Sequence, residues 1–356
     1  MNATLKRLVE TIHLHVVPSD LLEYPVINYF QYRNNGYLED FQLTNNLIQK
    51  YLPYHKKDPR LLFTLDPQIE SNIIWNDCVE RGMFCESIGS AHSPYRPKSD
   101  AIFCDPKFDP LKQLIVHRYI RKNVTKDHKN AFLFIHGYAE SHFIFHEQFY
   151  FRLAYNQFKI DIYALELPYH HHRVPYDSPF SGAYFLNGNP IRMLEAFNQS
   201  ISEIQFLVNY LKKRYDRVIL FGVSLGGHLV AVSSQLVTDI DCIAALASPF
   251  LFGLSLKTNI VPIANNYILQ HKEQGLASTY TILYSTNLKY FYPYTTNENT
   301  TIIGGIYDRI VPFNLVAKLA KMLQKPLYRY PGGHLTLLAW FRSLITQINR
   351  QFSSKK

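Results

Sequence analysis

The sequence lacks any long apolar run. Nowhere in its 356 residues do about 18 consecutive apolar residues occur, the length that a membrane-spanning helix needs. The first 15 residues also lack the continuous apolar stretch of an export signal, because Glu10, His13 and His15 interrupt it. These absences predict a globular protein that stays in the cytoplasm.

Cysteine is scarce, and no Cys-x-x-Cys pair occurs. The chain has four cysteines, three of which lie between Cys78 and Cys104. Without an export signal we expect free thiols, because the cytoplasm keeps cysteines reduced. The missing motif leaves a structural zinc site without support, and the sequence predicts neither a metal nor an organic cofactor.

Charged residues are also few, at 18%, against 47% apolar and 15% aromatic residues, which indicates a globular chain with a large core. Residues 1–110 carry 11 Lys and Arg against 14 Asp and Glu, whereas residues 111–356 carry 26 against 14. This basic surplus either serves solubility or favours contact with an anionic membrane surface. Nucleic-acid binding is not expected, because the basic residues are scattered and no recognition motif occurs.

From about residue 113 the chain alternates short apolar runs with longer periodic ones. This pattern predicts an α/β fold with a mostly parallel central sheet flanked by helices. The predicted strands are 113–120, 131–135, 160–165, 217–222, 242–247, 300–306 and 327–331. The predicted helices are 142–155, 192–214, 226–237, 313–323 and 334–352.

Three regions depart from this alternation. Residues 1–110 are expected to form an N-terminal extension or lobe packed on the main domain of 111–356, with amphipathic helices at 3–14 and 39–53. Residues 166–191 form a long loop. Residues 249–299 are too long for a simple crossover and are predicted to be a cap whose aromatic side chains line an apolar pocket or fill its own core. These side chains are Phe250, Phe252, Tyr267, Tyr280, Tyr284, Tyr290, Phe291, Tyr292 and Tyr294.

The clearest motif is Gly222-Val-Ser-Leu-Gly226, which follows an apolar strand and precedes an apolar-striped helix. A sharp strand-to-helix turn would lift Ser224 above the edge of the sheet, and the two glycines would relieve crowding around it. The N–H groups at the start of the helix would face the negative charge that develops during acyl transfer. The context therefore predicts a nucleophilic serine.

Three further motifs surround this one in the chain. Upstream, a buried-strand pattern ends at His136-Gly137, where backbone N–H groups can point at an oxyanion. Downstream, one predicted strand ends at Asp308, and another is followed by a Gly-Gly turn and His334. The order is an oxyanion loop, Ser, Asp and His, which is the order of the α/β-hydrolase triad.

On these motifs residues 111–356 resemble the α/β-hydrolase superfamily. The resemblance implies that Ser224 is the nucleophile, Asp308 the acid and His334 the general base. It also implies that the backbone N–H groups of Tyr138 and Leu225 form the oxyanion hole. The fold it implies is the α/β-hydrolase fold with a cap insertion at about 249–299.

A narrower resemblance involves the loop that begins after residue 165. The stretch Leu165-Glu-Leu-Pro-Tyr-His-His-His-Arg173 lies where many relatives carry an Asp-x-Pro-Gly-His-Gly loop, but it has Glu166 and no Gly-x-Gly. Its Pro-Tyr-His-x-x-Arg form is loosely similar to an esterase branch that includes lipid deacylases. His170 and Arg173 are therefore candidates to bind substrate or to order the loop near the serine.

The residues together predict a serine hydrolase that cleaves carboxylic esters through an acyl-serine intermediate, with apolar or lipid-like acyl groups as substrates. A peptidase, thioesterase or acyltransferase would use the same triad, and an inactive protein of this fold that binds a partner is a further alternative. Among the other histidines, His136 is expected to support the oxyanion turn and His228 to be structural. His170, His171 and His172 are adjacent, so their side chains diverge and are not expected to share a metal ion.

Overall fold

A computed structural model gives the structure of the protein. It describes residues 23, 25, 58–63, 65–66, 72–98, 105–122, 129–186, 190–251, 287–288 and 297–354.

A ten-stranded sheet forms the centre of the described structure. Its strands in chain order are β1 (Ile74–Trp75), β2 (Val79–Arg81), β3 (Phe84–His92), β4 (Gln113–Arg121), β5 (Asn130–Ile135), β6 (Asp161–Leu165), β7 (Arg217–Val223), β8 (Asp241–Ala245), β9 (Thr300–Gly305) and β10 (Leu327–Tyr330). They lie in the order β1-β3-β4-β6-β5-β7-β8-β9-β10, with β2 paired to β3. The strands from β6 to β10 are parallel, and β4 is antiparallel to both β3 and β6.

Helices cover both faces of this sheet. They are α1 (Ile144–His146), which a π-helical turn (Glu147–Phe151) joins to α2 (Arg152–Phe158), then α3 (Pro190–Lys212), α4 (Leu225–Ser233), α5 (Phe313–Leu323) and α6 (Leu337–Ser354). Short 3-10 helices occur at Pro59–Phe63, Pro106–Lys112, His171–Arg173 and His334–Thr336. The seven strands and five helices predicted between residues 113 and 356 are all confirmed, with their ends shifted by a few residues.

Side chains of alternate residues divide the core into two layers. Along β5, Leu133 and Ile135 pack with α3, α4 and α5, whereas Phe132 and Phe134 pack with α2 and α6 on the other face. Burial of both faces explains why this strand is a continuous apolar run. In the part of the chain that the structure describes, no helix is both long enough and apolar enough to cross a bilayer.

The sheet continues across residue 110, where the sequence predicts the edge of the main domain. Strands β1, β2 and β3 precede that position, and nine residue pairs join β3 to β4. The segment predicted as an N-terminal extension or lobe thus contributes an antiparallel meander that extends the parallel sheet. The alternation of apolar runs with helices, which marks the rest of the domain, is absent from a meander.

The expectation of free thiols is wrong for one pair. Cys78 and Cys85 form a disulfide, with Cα atoms 5.7 Å apart. The hairpin of β2 and β3 brings the two residues together, because Glu80 lies directly opposite Cys85 and Cys78 lies two residues before Glu80. Cys242 is a free, buried thiol.

Several predicted features lie outside the described residues. These are the helices at 3–14 and 39–53, and most of the cap at 249–299. Of the nine aromatic residues assigned to the cap, Phe250 is described, and its backbone forms a bridge with Asn287. The loop at 166–191 is described up to residue 186, and much of it is buried against the domain.

Candidate active site

Ser224 stands between the end of β7 and the start of α4 with φ 59° and ψ −117°. An L-residue rarely adopts such a positive φ, so the turn holds the serine in a strained backbone conformation. A Cβ atom on Gly222 would lie 2.2 Å from the Gly226 carbonyl oxygen, and one on Gly226 would lie 2.1 Å from the oxygen of Ile135. The prediction that both glycines relieve crowding in the turn is confirmed.

The predicted acid and base contact each other. Asp308 follows β9 and His334 follows β10, two neighbouring parallel strands, so both residues lie at the carboxyl edge of the sheet. Nδ1 of His334 is 2.8 Å from Oδ2 of Asp308. Burial would lower the pKa of His334, but the charge and hydrogen bond of Asp308 and the charge of Glu23 outweigh it and raise the pKa above 6.5.

Ser224 and His334 line one cavity of about 460 Å³. This size is typical of pockets for small organic ligands. Around the serine the wall is mostly apolar. The apolar lining residues include Phe145, Leu186, Leu246, Leu251, Ile310, Val311 and Leu335.

The two residues predicted to supply oxyanion donors, Tyr138 and Leu225, also line this cavity. Leu225 is the first residue of α4, so its backbone N–H is at the positive end of the helix. A Cβ atom on Gly137 would be 3.7 Å from Cβ of Ser224, which places the turn after β5 beside the serine. The structure therefore brings both predicted donor residues together with the serine and the histidine.

Two buried histidines hold the turn after β5. Nδ1 of His136 donates to the Gly137 carbonyl oxygen at 2.7 Å, and its Nε2 accepts from the backbone N–H of Leu167 at 3.1 Å. Nε2 of His170 accepts from the backbone N–H of Ala139 at 3.3 Å. Burial lowers the pKa of His136 to about 4 and also lowers that of His170, so both rings are neutral. His136 thus holds the turn after β5, which the sequence predicts to carry the oxyanion donors.

Arg173 and His170 are absent from the described residues that line the cavity, so the geometry does not support the predicted substrate contacts. Arg173 is fully buried and makes two hydrogen bonds with Glu203, at 2.7 and 2.8 Å. It also donates to the backbone oxygens of Glu166 and Leu111. Arg173 therefore orders the loop at 166–173, which is the second of the two roles that the sequence suggests for it.

His117, Glu166 and His172 bring possible metal ligands within 4.8 Å of one another. Oε1 of Glu166 lies 2.7 Å from Nε2 of His117 and 2.6 Å from Nδ1 of His172. Two ligands of a tetrahedral zinc ion would lie about 3.4 Å apart, given metal–ligand distances of about 2.1 Å. We therefore assign these contacts to hydrogen bonds.

Glu86 completes this network, because its Oε1 lies 2.6 Å from Nδ1 of His117. Both ring nitrogens of His117 thus donate to carboxylates. Burial would lower the pKa of His117, but the bonds to Glu166 and Glu86 raise it to about 9. We call this group of Glu86, His117, Glu166 and His172 the buried network; the His172 side chain is its exposed member, and the group joins β3 and β4 to the loop at 166–173.

Two other acids, Glu166 and Asp241, lie near strand ends, and both have partners other than His334. Glu166 belongs to the buried network, and Asp241 pairs with Arg217 at 2.6 Å at the start of β8. A contact that the sequence did not reveal involves Glu23, whose carboxylate accepts from the backbone N–H groups of Arg309 and His334. No local pattern marks Glu23, because its partners lie more than 280 residues away.

Solved structures with a similar fold are known. Acetyl xylan esterase 1 from Thermoanaerobacterium sp. JW/SL YS485 superimposes with a TM-score of 0.61 at 13% identity, over 86% of this chain and 99% of that chain. Acetyl xylan esterase from Paenibacillus sp. R4 gives 0.58 at 11% identity, over 91% and 98%. An S-formylglutathione hydrolase from Agrobacterium tumefaciens gives 0.50 at 13% identity, over 78% and 98%.

No protein-family profile matches the chain, and no curated protein matches it. At these identities the structural likeness concerns the fold. The sheet order and the structural neighbours show that the protein has the α/β-hydrolase fold.

Proposed function

We propose that this protein of the α/β-hydrolase fold is a serine hydrolase that cleaves carboxylic esters. The oxygen of Ser224 attacks the acyl carbonyl while His334 takes its proton. Asp308 fixes the tautomer of the imidazole and stabilises its charged form. The N–H groups of Tyr138 and Leu225 stabilise the oxyanion. The ester C–O bond then breaks as His334 gives its proton to the departing alcohol, and water, with His334 again as base, hydrolyses the acyl-enzyme.

One observation carries this proposal. A serine in a strained strand-to-helix turn and a histidine hydrogen-bonded to a buried aspartate line the same cavity. An isolated serine hydroxyl is a weak nucleophile at neutral pH, and His334 with its hydrogen-bonded partner Asp308 would supply the base and the orienting acid that it needs. A strained backbone persists only where the surrounding structure enforces it, which favours a functional role for the turn.

The cavity wall supports an apolar acyl group as the substrate class. Phe145 and Leu335 line the cavity while about half of each side chain is exposed, at 52% and 45%. Together with the buried residues Leu186, Leu246 and Leu251, which line the same cavity, they make much of its wall apolar. Each methylene buried there contributes up to about 0.8 kcal/mol, so catalytic efficiency is expected to rise with acyl length until the cavity is full.

A panel of esters from acetyl to dodecanoyl tests both parts of the proposal, with fluorophosphonate labelling as a direct probe of an activated serine. We expect labelling of the wild type, loss of labelling in Ser224→Ala, and higher kcat/KM for octanoyl than for acetyl esters. A preference for acetyl would contradict the apolar substrate class and leave the serine chemistry standing. Failure to label would contradict the serine chemistry and favour an inactive, partner-binding protein.

The same triad serves peptidases, thioesterases and acyltransferases, because all form an acyl-serine. Matched octanoyl ester, thioester and anilide substrates distinguish these reactions. We expect the ester to be cleaved with the highest kcat/KM. Adding an alcohol as acceptor detects acyl transfer, and we expect hydrolysis to dominate.

The basic surplus of residues 111–356 supports a further proposal, that the enzyme contacts anionic membrane surfaces. The Cys78–Cys85 disulfide argues for an oxidising compartment rather than for the cytoplasm that the sequence predicts. Sedimentation with anionic vesicles tests the membrane contact, which is expected at low salt and should weaken as salt screens the charges. Absence of binding at low salt would leave solubility as the role of the charge.

A further inference from the structure

Glu23 places a buried carboxylate between the two loops that carry the acid and the base. Its side chain is fully buried. Oε2 accepts from the backbone N–H of Arg309 at 2.8 Å, and Oε1 accepts from the backbone N–H of His334. The residue is 286 positions from the first partner and 311 from the second.

The two donors are significant because of their neighbours. Arg309 directly follows Asp308, and the second N–H belongs to His334 itself. One oxygen of Glu23 therefore fixes the backbone beside the acid, and the other fixes the backbone of the base. Bonds from N–H donors to an ionised carboxylate are stronger than neutral ones, so this bridge resists separation of the two loops.

We propose that Glu23 is a positioning residue of the triad, which holds Asp308 and His334 at bonding distance and stabilises the protonated form of His334. This inference rests on the proposed function, because it assigns Glu23 a role in the reaction of Ser224. It also gives the N-terminal part of the chain, whose role the sequence left open, a task in catalysis.

The charges around His334 support a role beyond packing. Its immediate charged neighbours are Asp308 and Glu23, and Glu140 and His146 line the same cavity. The Tyr330 hydroxyl donates to the Gly333 carbonyl oxygen and remains neutral, since burial and then the charge of Asp308 raise its pKa. Burial likewise raises the pKa of Glu23, and the Arg309 N–H opposes that shift.

A negative charge at Glu23 favours the imidazolium that forms when His334 takes the serine proton. The same charge keeps the resting histidine protonated to higher pH. Loss of the charge should therefore lower the pKa of His334 and move the acidic limb of the kcat/KM profile to lower pH. A purely structural clamp would change stability without moving this limb.

Glu23→Gln is the test variant, because the amide has nearly the same shape but lacks the charge and can accept from one N–H only. Glu195→Gln is the matched control. Glu195 is also a buried carboxylate that accepts from a backbone N–H, that of Lys98 at 3.0 Å, and it is not among the described residues that line the cavity. Glu23→Asp keeps the negative charge and tests whether a carboxylate at this position restores the pKa of His334.

Two readouts are needed. The first is the pKa of His334, from NMR titration of histidine-labelled full-length protein, with His334→Gln to assign the signal. The second is the pH profile of kcat and KM for an octanoyl ester. In Glu23→Gln we expect the pKa of His334 and the acidic limb to fall by about half a unit or more.

Plateau kcat in Glu23→Gln should drop several-fold while KM stays within about twofold, because Glu23 does not line the cavity. Glu195→Gln should leave the pKa of His334 unchanged, and Glu23→Asp should restore much of it. An unchanged His334 pKa in folded Glu23→Gln would overturn the proposal. If Glu23→Gln does not fold, Glu23→Met takes its place as the uncharged variant, and an unchanged pKa of His334 in folded Glu23→Met would equally overturn the proposal.

The NMR titration separates this proposal from the proposed function. If Ser224→Ala retained activity, the serine mechanism would fail, yet the titration would still show whether Glu23 sets the protonation of His334. If Ser224→Ala were inactive and the titration showed no change in Glu23→Gln, the function would stand and the role of Glu23 would fail.

Discussion

His334 and Asp308 lie 2.8 Å apart through Nδ1 and Oδ2, and the other carboxylate oxygen accepts from the backbone N–H groups of Ile310 and Val311 at 2.8 and 2.7 Å. Both carboxylate oxygens of Asp308 therefore make hydrogen bonds, one with the backbone of the loop and the other with the imidazole. Because Nδ1 is engaged in this way, Nε2 is the nitrogen left to act as base.

Asp308→Asn is expected to lower kcat by about 10⁴, because the amide can present its N–H to Nδ1 and select the wrong tautomer. Steady-state kinetics on an octanoyl ester measures the loss. The control is Asp241→Asn, which removes a carboxylate paired with Arg217 at the start of β8. That variant should stay within a few-fold of wild-type kcat, and a near-neutral Asp308→Asn would show that the acid is misassigned.

Ser224→Ala is expected to reduce kcat by about 10⁴ to 10⁶ without unfolding the protein. Because the triad acts as a unit, adding His334→Ala to this variant should cause little further loss. If the fold-losses in kcat of the two single variants multiplied in the double variant, the two residues would act independently, which would contradict a shared mechanism. Circular dichroism spectra confirm that each variant is folded.

Gly226→Ala is expected to destabilise the fold, because its Cβ atom would lie 2.1 Å from the Ile135 oxygen and 2.6 Å from the His136 oxygen. Overpacking of this kind costs about 1–3 kcal/mol, measured by urea unfolding. Gly137→Ala is the matched stability control, since its nearest neighbours would be 3.7 Å away. Equal losses in the two variants would show that crowding at Gly226 is not the cause.

Arg173→Met is expected to cost about 3–5 kcal/mol of unfolding free energy, because it leaves the buried carboxylate of Glu203 without a countercharge, with only the hydrogen bonds from Ser93 and Gln199. KM of the folded protein should not change, since Arg173 is absent from the described lining of the cavity. The double variant Arg173→Met with Glu203→Leu should recover part of the stability. A raised KM at unchanged stability would instead restore Arg173 as a substrate contact.

The buried network should make stability depend on pH in both directions. His117, with its pKa raised from 6.5 to about 9, contributes stability that is complete below pH 6.5 and is lost as the pH rises through about 9. Glu86 has its pKa lowered from 4.5 to about 2: burial opposes this shift, and bonds from His117 and Tyr119 outweigh it. Its contribution is present above pH 4.5 and is lost as the pH falls toward 2.

His117→Gln should therefore remove the decline in stability between pH 6.5 and 9. The free energy difference from wild type should shrink over that range by roughly 3 kcal/mol, from a shift of about 2.5 pKa units. Urea unfolding at pH 6 and at pH 9.5 measures it. A difference of equal size at both pH values would mean that His117 is not charged in the folded protein.

The positions of Ser224, Asp308 and His334 at one edge of the sheet could be predicted because each residue is marked by its immediate neighbours. An apolar strand precedes Ser224 and Asp308, and a short strand with a Gly-Gly turn precedes His334. Parallel strands end at the same edge of a sheet, so local patterns were enough to bring these side chains together. The same reasoning located the turn at Gly137 beside the serine.

Contacts between distant segments could not be predicted in this way. Arg173 pairs with Glu203, and Glu23 reaches the loops after β9 and β10, yet no spacing in the sequence relates these positions. The Cys78–Cys85 disulfide depends on the register of a hairpin whose strands are only three and nine residues long. Three-dimensional proximity, rather than residue type, gives these side chains their roles.

The neutral state of His136 and His170 has a consequence for how the protein responds to acid. The pKa of His136 is about 4, and that of His170 is also well below its usual range. Moderate acidification therefore leaves the bonds to Gly137 and Ala139 in place while it protonates His334. Inhibition near pH 5 should then be reversible within the mixing time of a stopped-flow pH jump, because deprotonation of His334 restores the base and no refolding is needed.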